Sequence, residues 1–412
     1  MAVMKRPLPE LLAPAGDMAR LRMALRFGAD AVYVGGTAFG MRAGPKNFSL
    51  QELGEAAQLV HGAGKKLYLT LNTTPTNAEM DALPDYVRQL RTVPLDAVIV
   101  ADIGVLATVK RLLPDVEIHM STQVGVMNYE TAAQLHEMGA SRVVLARELS
   151  IDDMARIRSR VPDTLSLEAF VHGAMCMSVS GRCLLSQYLA GRDANRGQCA
   201  QPCRWGYYLM EEKRPGQYFP IFEDERGSYI LNAKDLCLIE YADRLWQAGI
   251  DSFKIEGRAK SEYYTAVVTG AWRRAMDRLA LDPGHYRCPP ELLEELQKVS
   301  HRQYSTGFAF GTPEQGQFYE TGGYVRTWDI AAVVERCADG MAEVTVRNKF
   351  CVGDTLEAVQ PGEDTFPLTV TALFTMDGAP RDSAPHPMEQ LRMPVTRPVK
   401  PGSILRIEKR ER

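Results

Sequence analysis

The sequence predicts an α/β protein: a (β/α)8 TIM-like barrel with a long cysteine-rich insertion after the seventh strand, then a small all-β domain. Short apolar runs alternate with amphipathic helical stretches through the first two-thirds of the chain. A degenerate repeat joins helix ends to strand starts at Gly28-Ala29-Asp30-Ala31-Val32, Gly139-Ala140-Ser141-Arg142-Val143 and Gly249-Ile250-Asp251-Ser252-Phe253. Glycine suits the left-handed helix C-cap, and the residues after it turn into the strand. Pro94-Leu95-Asp96-Ala97-Val98 does the same without the glycine.

In chain order the candidate strands are residues 11–16, 31–34, 66–72, 97–102, 117–123, 142–148, 165–172 and 252–257. Eight strands of this kind suit a closed barrel; an open doubly wound sheet is the alternative, because periodicity does not show closure. The barrel is expected over 1–283, with the insertion at 173–237. A linker with helical character follows at 284–322. Residues 323–412 carry short alternating runs at 331–335, 342–346, 355–358, 368–373 and 403–407, separated by glycine and proline, and read as a small β-barrel or sandwich.

Strand side chains alternate between faces. One face is expected to hold Tyr68, Thr70 and Asn72; others hold Val98, Val100 and Asp102, or His119, Ser121 and Gln123. Glu168, Phe170 and His172 form a further set, as do Lys254 and Glu256. Several strands thus end in a polar residue at the C-terminal face, where barrel active sites sit. The plain alternative is that strand ends are polar because loops begin there.

The chain has 412 residues, a net charge of −3 and a 45% hydrophobic fraction, which is ordinary globular composition. The near-neutral balance argues against a surface coated for nucleic acid, though residues 392–412 are locally basic. No run is long and apolar enough to span a membrane. Residues 1–10 carry Lys5, Arg6 and two prolines without an apolar core, so no signal peptide is read and a cytoplasmic location is expected.

Of eight cysteines, five cluster with the spacing Cys176-x6-Cys183-x15-Cys199-x3-Cys203 and then Cys237. Clustered thiols in a reducing compartment point to a soft metal or to redox chemistry rather than disulfides. The paired Cys-x2-Cys knuckles of structural zinc are absent, and the wider spacing suits an iron–sulfur cluster. One cluster takes four thiolates, so one of the five is spare. The insertion also holds Arg182, Arg192, Arg196 and Arg204 with Trp205, Tyr207 and Tyr208, a mixture suited to phosphate and base contacts. A solvated, cluster-stapled loop is the plain alternative.

Several segments resemble the peptidase U32 (collagenase-like protease) family. They are Glu168-Ala169-Phe170-Val171-His172-Gly173-Ala174-Met175-Cys176, Ser180-Gly181-Arg182-Cys183, Gln201-Pro202-Cys203-Arg204-Trp205, Asn232-Ala233-Lys234-Asp235-Leu236-Cys237, Lys254-Ile255-Glu256-Gly257-Arg258 and the opening Glu10-Leu11-Leu12-Ala13-Pro14-Ala15-Gly16. The resemblance implies a [4Fe–4S] cluster on Cys176, Cys183, Cys199 and Cys237, with Cys203 as the alternative fourth ligand. It further implies the branch that hydroxylates the wobble uridine of tRNA at carbon 5, with prephenate as co-substrate. Other branches act on ribosomal RNA or a ubiquinone precursor.

On this reading Glu168, His172 and Glu256 are the catalytic candidates. Lys254, Arg258, Asn72 and Gln123 are expected to bind the small carboxylate donor and the base, with Trp205 and Tyr207 stacking on splayed anticodon-arm bases. A paralogous family member or a second copy of the chain stays open as a partner. Two other functions compete. A peptidase would use a His172–Cys176 dyad, since neither His-Glu-x-x-His nor Gly-x-Ser-x-Gly occurs. A non-catalytic RNA-binding protein would use its cluster only to fold the loop.

Overall fold

The computed structural model describes residues 6–40, 47–176, 185–192, 194, 198–202, 209–210, 218–219, 222–224, 227–229, 234–311 and 324–409. Seven strands, each followed by a connection back to the same edge, open the chain: β1 (Glu10–Pro14), β2 (Ala31–Gly35), β3 (Lys66–Leu71), β4 (Ala97–Val100), β5 (Glu117–Met120), β6 (Arg142–Val144) and β7 (Ser166–Ala174). Helices α1 (Met18–Arg26), α2 (Leu50–Gly62), α3 (Asn77–Leu90), α4 (Ile103–Leu112), α5 (Tyr129–Met138) and α6 (Ile151–Arg158) lie between them.

After β7 the insertion contributes α7 (Leu185–Ala190) and two short hairpins, β8 (Leu209–Met210) with β9 (Tyr218–Phe219) and β10 (Phe222–Asp224) with β11 (Gly227–Tyr229). The chain returns through β12 (Asp235–Cys237) and α8 (Ala242–Gln247) to β13 (Ser252–Ile255). β13 pairs in parallel with both β7 and β1, which closes the eight-stranded barrel. All eight expected strands are present, and closure excludes the open sheet.

Local chemistry sets the element ends. Ser49 caps α2 in a reciprocal box with Glu52, and Ser261 caps α9 (Glu262–Leu281) by accepting from Tyr264 N. Gly139 ends α5 with φ 117° and Gly249 precedes β13 with φ 85°, the left-handed turn expected of the repeat. Three residues of one expected set do not line the barrel face. Val98 and Val100 face the surrounding helices in the main apolar core, and Asp102 is the α4 N-cap, accepting from Val105 N at 3.0 Å. Asp102 therefore serves the helix start rather than the barrel face.

Helix α10 (Pro290–Gln297) packs on α9, and β14 (Tyr304–Ser305) extends the barrel sheet through β12. The C-terminal unit comprises β15 (Trp328–Ala338), β16 (Met341–Val346), β17 (Phe350–Cys351), β18 (Thr355–Val359), β19 (Phe366–Thr369), β20 (Leu373–Thr375), β21 (Pro380–Arg381), β22 (Ser383–Ala384), β23 (Gln390–Pro394) and β24 (Ile404–Glu408). Eight of these strands form one antiparallel sheet in the order β19-β18-β24-β15-β16-β23-β20-β21 around its own apolar core. The run expected at 368–373 is two strands on opposite sides of that sheet. Strand β23 went unforeseen because prolines flank its short alternation.

Arg406 of β24 joins the two units. It is fully buried and forks onto Glu295 of α10 at 2.6 and 2.8 Å, while its Nε donates to Glu357 at 2.8 Å.

Candidate active site at the barrel mouth

Charged and polar side chains line much of the barrel interior, around a small apolar cluster that includes Leu12, Ala97 and Ile99. On the floor, Arg142 donates to Glu10 at 2.7 Å and to Glu168 at 3.0 Å. Lys254 donates to the other Glu168 oxygen at 2.6 Å. The Tyr68 hydroxyl and Ser252 hydroxyl both donate to Glu10, at 2.6 and 3.0 Å. Two cations thus meet two carboxylates, and buried charges persist when paired in this way. Burial alone would push the Glu168 carboxyl up, but the Lys254 ammonium and then the Arg142 guanidinium hold it at about 2. Glu168 is therefore a fixed anion at neutral pH. Lys254 is thus an ion-pair partner of Glu168 inside the barrel.

Above this layer, Lys254 Nζ lies 4.6 Å from the centre of the Tyr33 ring and 5.4 Å from that of Phe170. The Tyr33 hydroxyl donates to the Ile255 carbonyl at 2.9 Å and approaches Glu256 Oε2 at 3.4 Å. Arg258, almost fully buried, donates to the Thr70 hydroxyl at 2.8 Å. Asn72 donates to Gln123 at 3.2 Å across the rim. The structure thus brings Lys254, Glu256, Arg258, Asn72 and Gln123 to the C-terminal half of one barrel.

Glycines make room for the Glu256-Gly257-Arg258 turn. A Cβ at Gly35 would stand 2.1 Å from Arg258 Nη1, and one at Gly16 would stand 2.3 Å from the Arg258 carbonyl oxygen. Both side chains would occupy space that Arg258 fills. The sequence motif around Gly16 was legible, but this reason for it was not.

His172 does not share the face of Glu168 and Phe170. The β7–β13 register passes from Lys254 opposite Phe170 to Ile255 opposite His172, so Val171 is one extra residue in β7. A bulge of this kind breaks the alternation. The His172 ring packs against Tyr264 at 6.2 Å and Tyr304 at 5.2 Å, outside the mouth. It is 1% exposed, neither ring nitrogen has a hydrogen-bond partner, and burial lowers its pKa to about 3. A hydrogen-bonded His172–Cys176 dyad is thus not formed.

Cys176 lies two residues past the end of β7, exposed, and Cys199 is also exposed; both thiols are free. Free thiolates are the donor type that a soft metal prefers, so these two positions fit cluster ligation. Cys237 stands opposite His172 in the β7–β12 pairing, and burial, with Cys288 close by, pushes its thiol up to about 12. Cys183, Cys203, Trp205 and Tyr207 lie outside the described residues. Among the described residues no group of three metal-ligating side chains converges. No helix among them is long and apolar enough to cross a membrane.

Sequence reasoning missed Arg147, whose guanidinium lies 4.2 Å over Phe170 and donates to the Ala174 carbonyl at 2.7 Å. Its place three residues beyond β6, at the C-terminal face, was the available signal.

Fold and site define an α/β-barrel protein with a charged mouth and a thiol-bearing segment after its seventh strand. Residues 16–318 match Peptidase family U32 and residues 326–406 match the Peptidase family U32 C-terminal domain. The chain belongs to the U32 family. It is 36% identical over 401 residues to tRNA hydroxylation protein P1 of Bacillus subtilis, covering 97% of this chain and 94% of that protein. It is 37% identical over 398 residues to tRNA hydroxylation protein P of Escherichia coli, covering 86% of each. It is also 37% identical over 276 residues to the 23S rRNA 5-hydroxycytidine C2501 synthase of Escherichia coli, covering 67% of this chain and 40% of that protein.

Proposed function

We propose that this chain is an RNA-modifying hydroxylase that converts the wobble uridine of tRNA to 5-hydroxyuridine without oxygen, using an iron–sulfur cluster and a prephenate-like hydroxyl donor. The observation that carries the reading is near end-to-end similarity, at 36% identity, to a protein named for tRNA hydroxylation. The mouth suits the chemistry, because a polar, enclosed barrel holds a small anionic donor away from bulk water.

Cys176, Cys183 and Cys199 would hold the cluster, with Cys237 as fourth ligand and Cys203 as the alternative. When bound, such a cluster supplies one-electron transfer or a Lewis-acidic iron. Arg258, seated on Thr70, takes a donor carboxylate. Glu256, within reach of the Tyr33 hydroxyl, is the acid–base group at the mouth. Glu168 acts through Lys254 as a positioning residue, and the neutral His172 ring supports the strand end that leads to Cys176. Asn72 and Gln123 meet the polar edge of the donor or base, and Trp205 and Tyr207 stack on anticodon-arm bases.

The test is mass analysis of tRNA nucleosides from a deletion strain, with iron and sulfide analysis of the anaerobically purified chain. The expected result is loss of 5-hydroxyuridine, its return with the wild-type chain, and about four irons per chain with a broad band near 400 nm. Cys176→Ala should bind RNA without restoring the nucleoside. Unchanged tRNA with a lost ribosomal hydroxycytidine would replace the substrate. Zinc alone in the purified chain would remove the hydroxylase mechanism.

A further inference from the structure

Charge is balanced on the barrel floor and unbalanced at its rim. Arg142 and Lys254 are each in an ion pair with Glu10 or Glu168. Arg147 has no carboxylate within ion-pair distance among the described residues. One of its donors is used, by the Ala174 carbonyl, and the guanidinium carbon lies 4.2 Å from the centre of the Phe170 ring. An arginine carries five N–H donors in a planar fork, so most of its edge is left to offer. Phe170 is 8% exposed and also lies under the Lys254 ammonium. A half-buried guanidinium close to a second cation, with no acid of its own, is an arrangement that a bound anion relieves.

We propose that Arg147 is an oxyanion-binding residue of the mouth, taking a carboxylate of the small co-substrate through its free edge. The inference rests on the donor reading above and adds a residue to it. A small carboxylate is favoured over an RNA phosphate because Arg147 is tied to Phe170 and Ala174 of β7, and the Phe170 ring it covers faces the Lys254 ammonium inside the barrel.

The test is calorimetric titration of the full chain with malonate and, separately, with a short oligouridylate, for the wild type, Arg147→Gln and Arg147→Lys. Malonate should bind the wild type, weaken by about tenfold or more in Arg147→Gln, and weaken less in Arg147→Lys, as the loss of a charge-assisted fork requires. Oligouridylate affinity should not move. Unchanged malonate binding in Arg147→Gln, or no malonate binding by the wild type, overturns the proposal. Loss of oligouridylate binding alone also overturns it and assigns Arg147 to an RNA phosphate. Arg147→Lys keeps the charge and the stacked stem, so it separates the fork from a folding defect. Hydroxylation is measured independently: Arg147-dependent malonate binding in a chain that modifies no RNA would leave this site standing and remove the donor reading.

Discussion

The Lys254 ammonium donates to the Glu168 carboxylate at 2.6 Å inside the barrel, where Glu168 is fully buried and Lys254 is 5% exposed as a side chain. The Arg142 guanidinium holds the other oxygen of the same carboxylate. One acid thus anchors two cations from β6 and β13 and sets the height of Lys254 beneath the mouth.

Removing that acid should be costly. Glu168→Ala strands the buried Lys254 and leaves Arg142 with Glu10 alone, and should lower stability by about 3–5 kcal/mol, read from urea denaturation at neutral pH. Glu168→Gln keeps an acceptor and should cost less. A loss below ~1 kcal/mol for Glu168→Ala would mean the cations relax to other partners.

The same carboxyl predicts a pH dependence. Its folded pKa, about 2, lies below its ordinary 4.5. The unfolded chain therefore binds the proton first as pH falls, and the stabilisation is complete above 4.5 and lost on the way down through about 2. Wild-type minus Glu168→Gln stability should shrink across that window and stay flat above it. A difference that instead changes between neutral pH and 5 would assign the dependence to another group.

Gly35→Ala should leave the barrel folded and disable its mouth. The added methyl meets Arg258 Nη1 at 2.1 Å, so the guanidinium must leave Thr70. Overpacking of this kind costs about 1–3 kcal/mol, visible as a modest fall in Tm. Nucleoside analysis should show far less 5-hydroxyuridine, and Arg258→Lys should resemble it because an ammonium lacks the fork. Full activity in Gly35→Ala would show that the position of Arg258 does not matter.

Arg406→Met should uncouple the C-terminal sheet from the barrel. It leaves Glu295 and Glu357 facing each other without the guanidinium that joins them, at a cost of about 3–5 kcal/mol. Calorimetry should then show two thermal transitions where the wild type shows one. A single unshifted transition would mean that the other contacts between the units, the Lys298–Glu357 and Arg347–Glu262 ion pairs among them, suffice to hold them together.

If the chain holds the proposed cluster, iron content identifies its fourth ligand. Cys237→Ala should lose the iron of the anaerobically purified chain and Cys203→Ala should keep it, with Cys176→Ala and Cys199→Ala as positive controls. The reverse result would transfer the role to Cys203.

The sequence by itself determined the eight strands, the barrel's C-terminal face as the place of the polar residues, and the family. These are properties of periodicity, of glycine at helix ends and of local motifs, which need no knowledge of distant neighbours. Only the tertiary structure decided which polar side chains meet. Alternation placed His172 beside Glu168, but one extra residue in β7 turns it toward Tyr264 and Tyr304. Lys254 was legible as a barrel cation, but its partner lies 86 residues away on a neighbouring strand. Nothing in the sequence marks Gly35, because its role depends on the Arg258 guanidinium that fills the space over it. Arg147 was silent because an arginine after a strand is common. What distinguishes it is that no carboxylate among the described residues lies within ion-pair distance, which depends on the placement of the other strands.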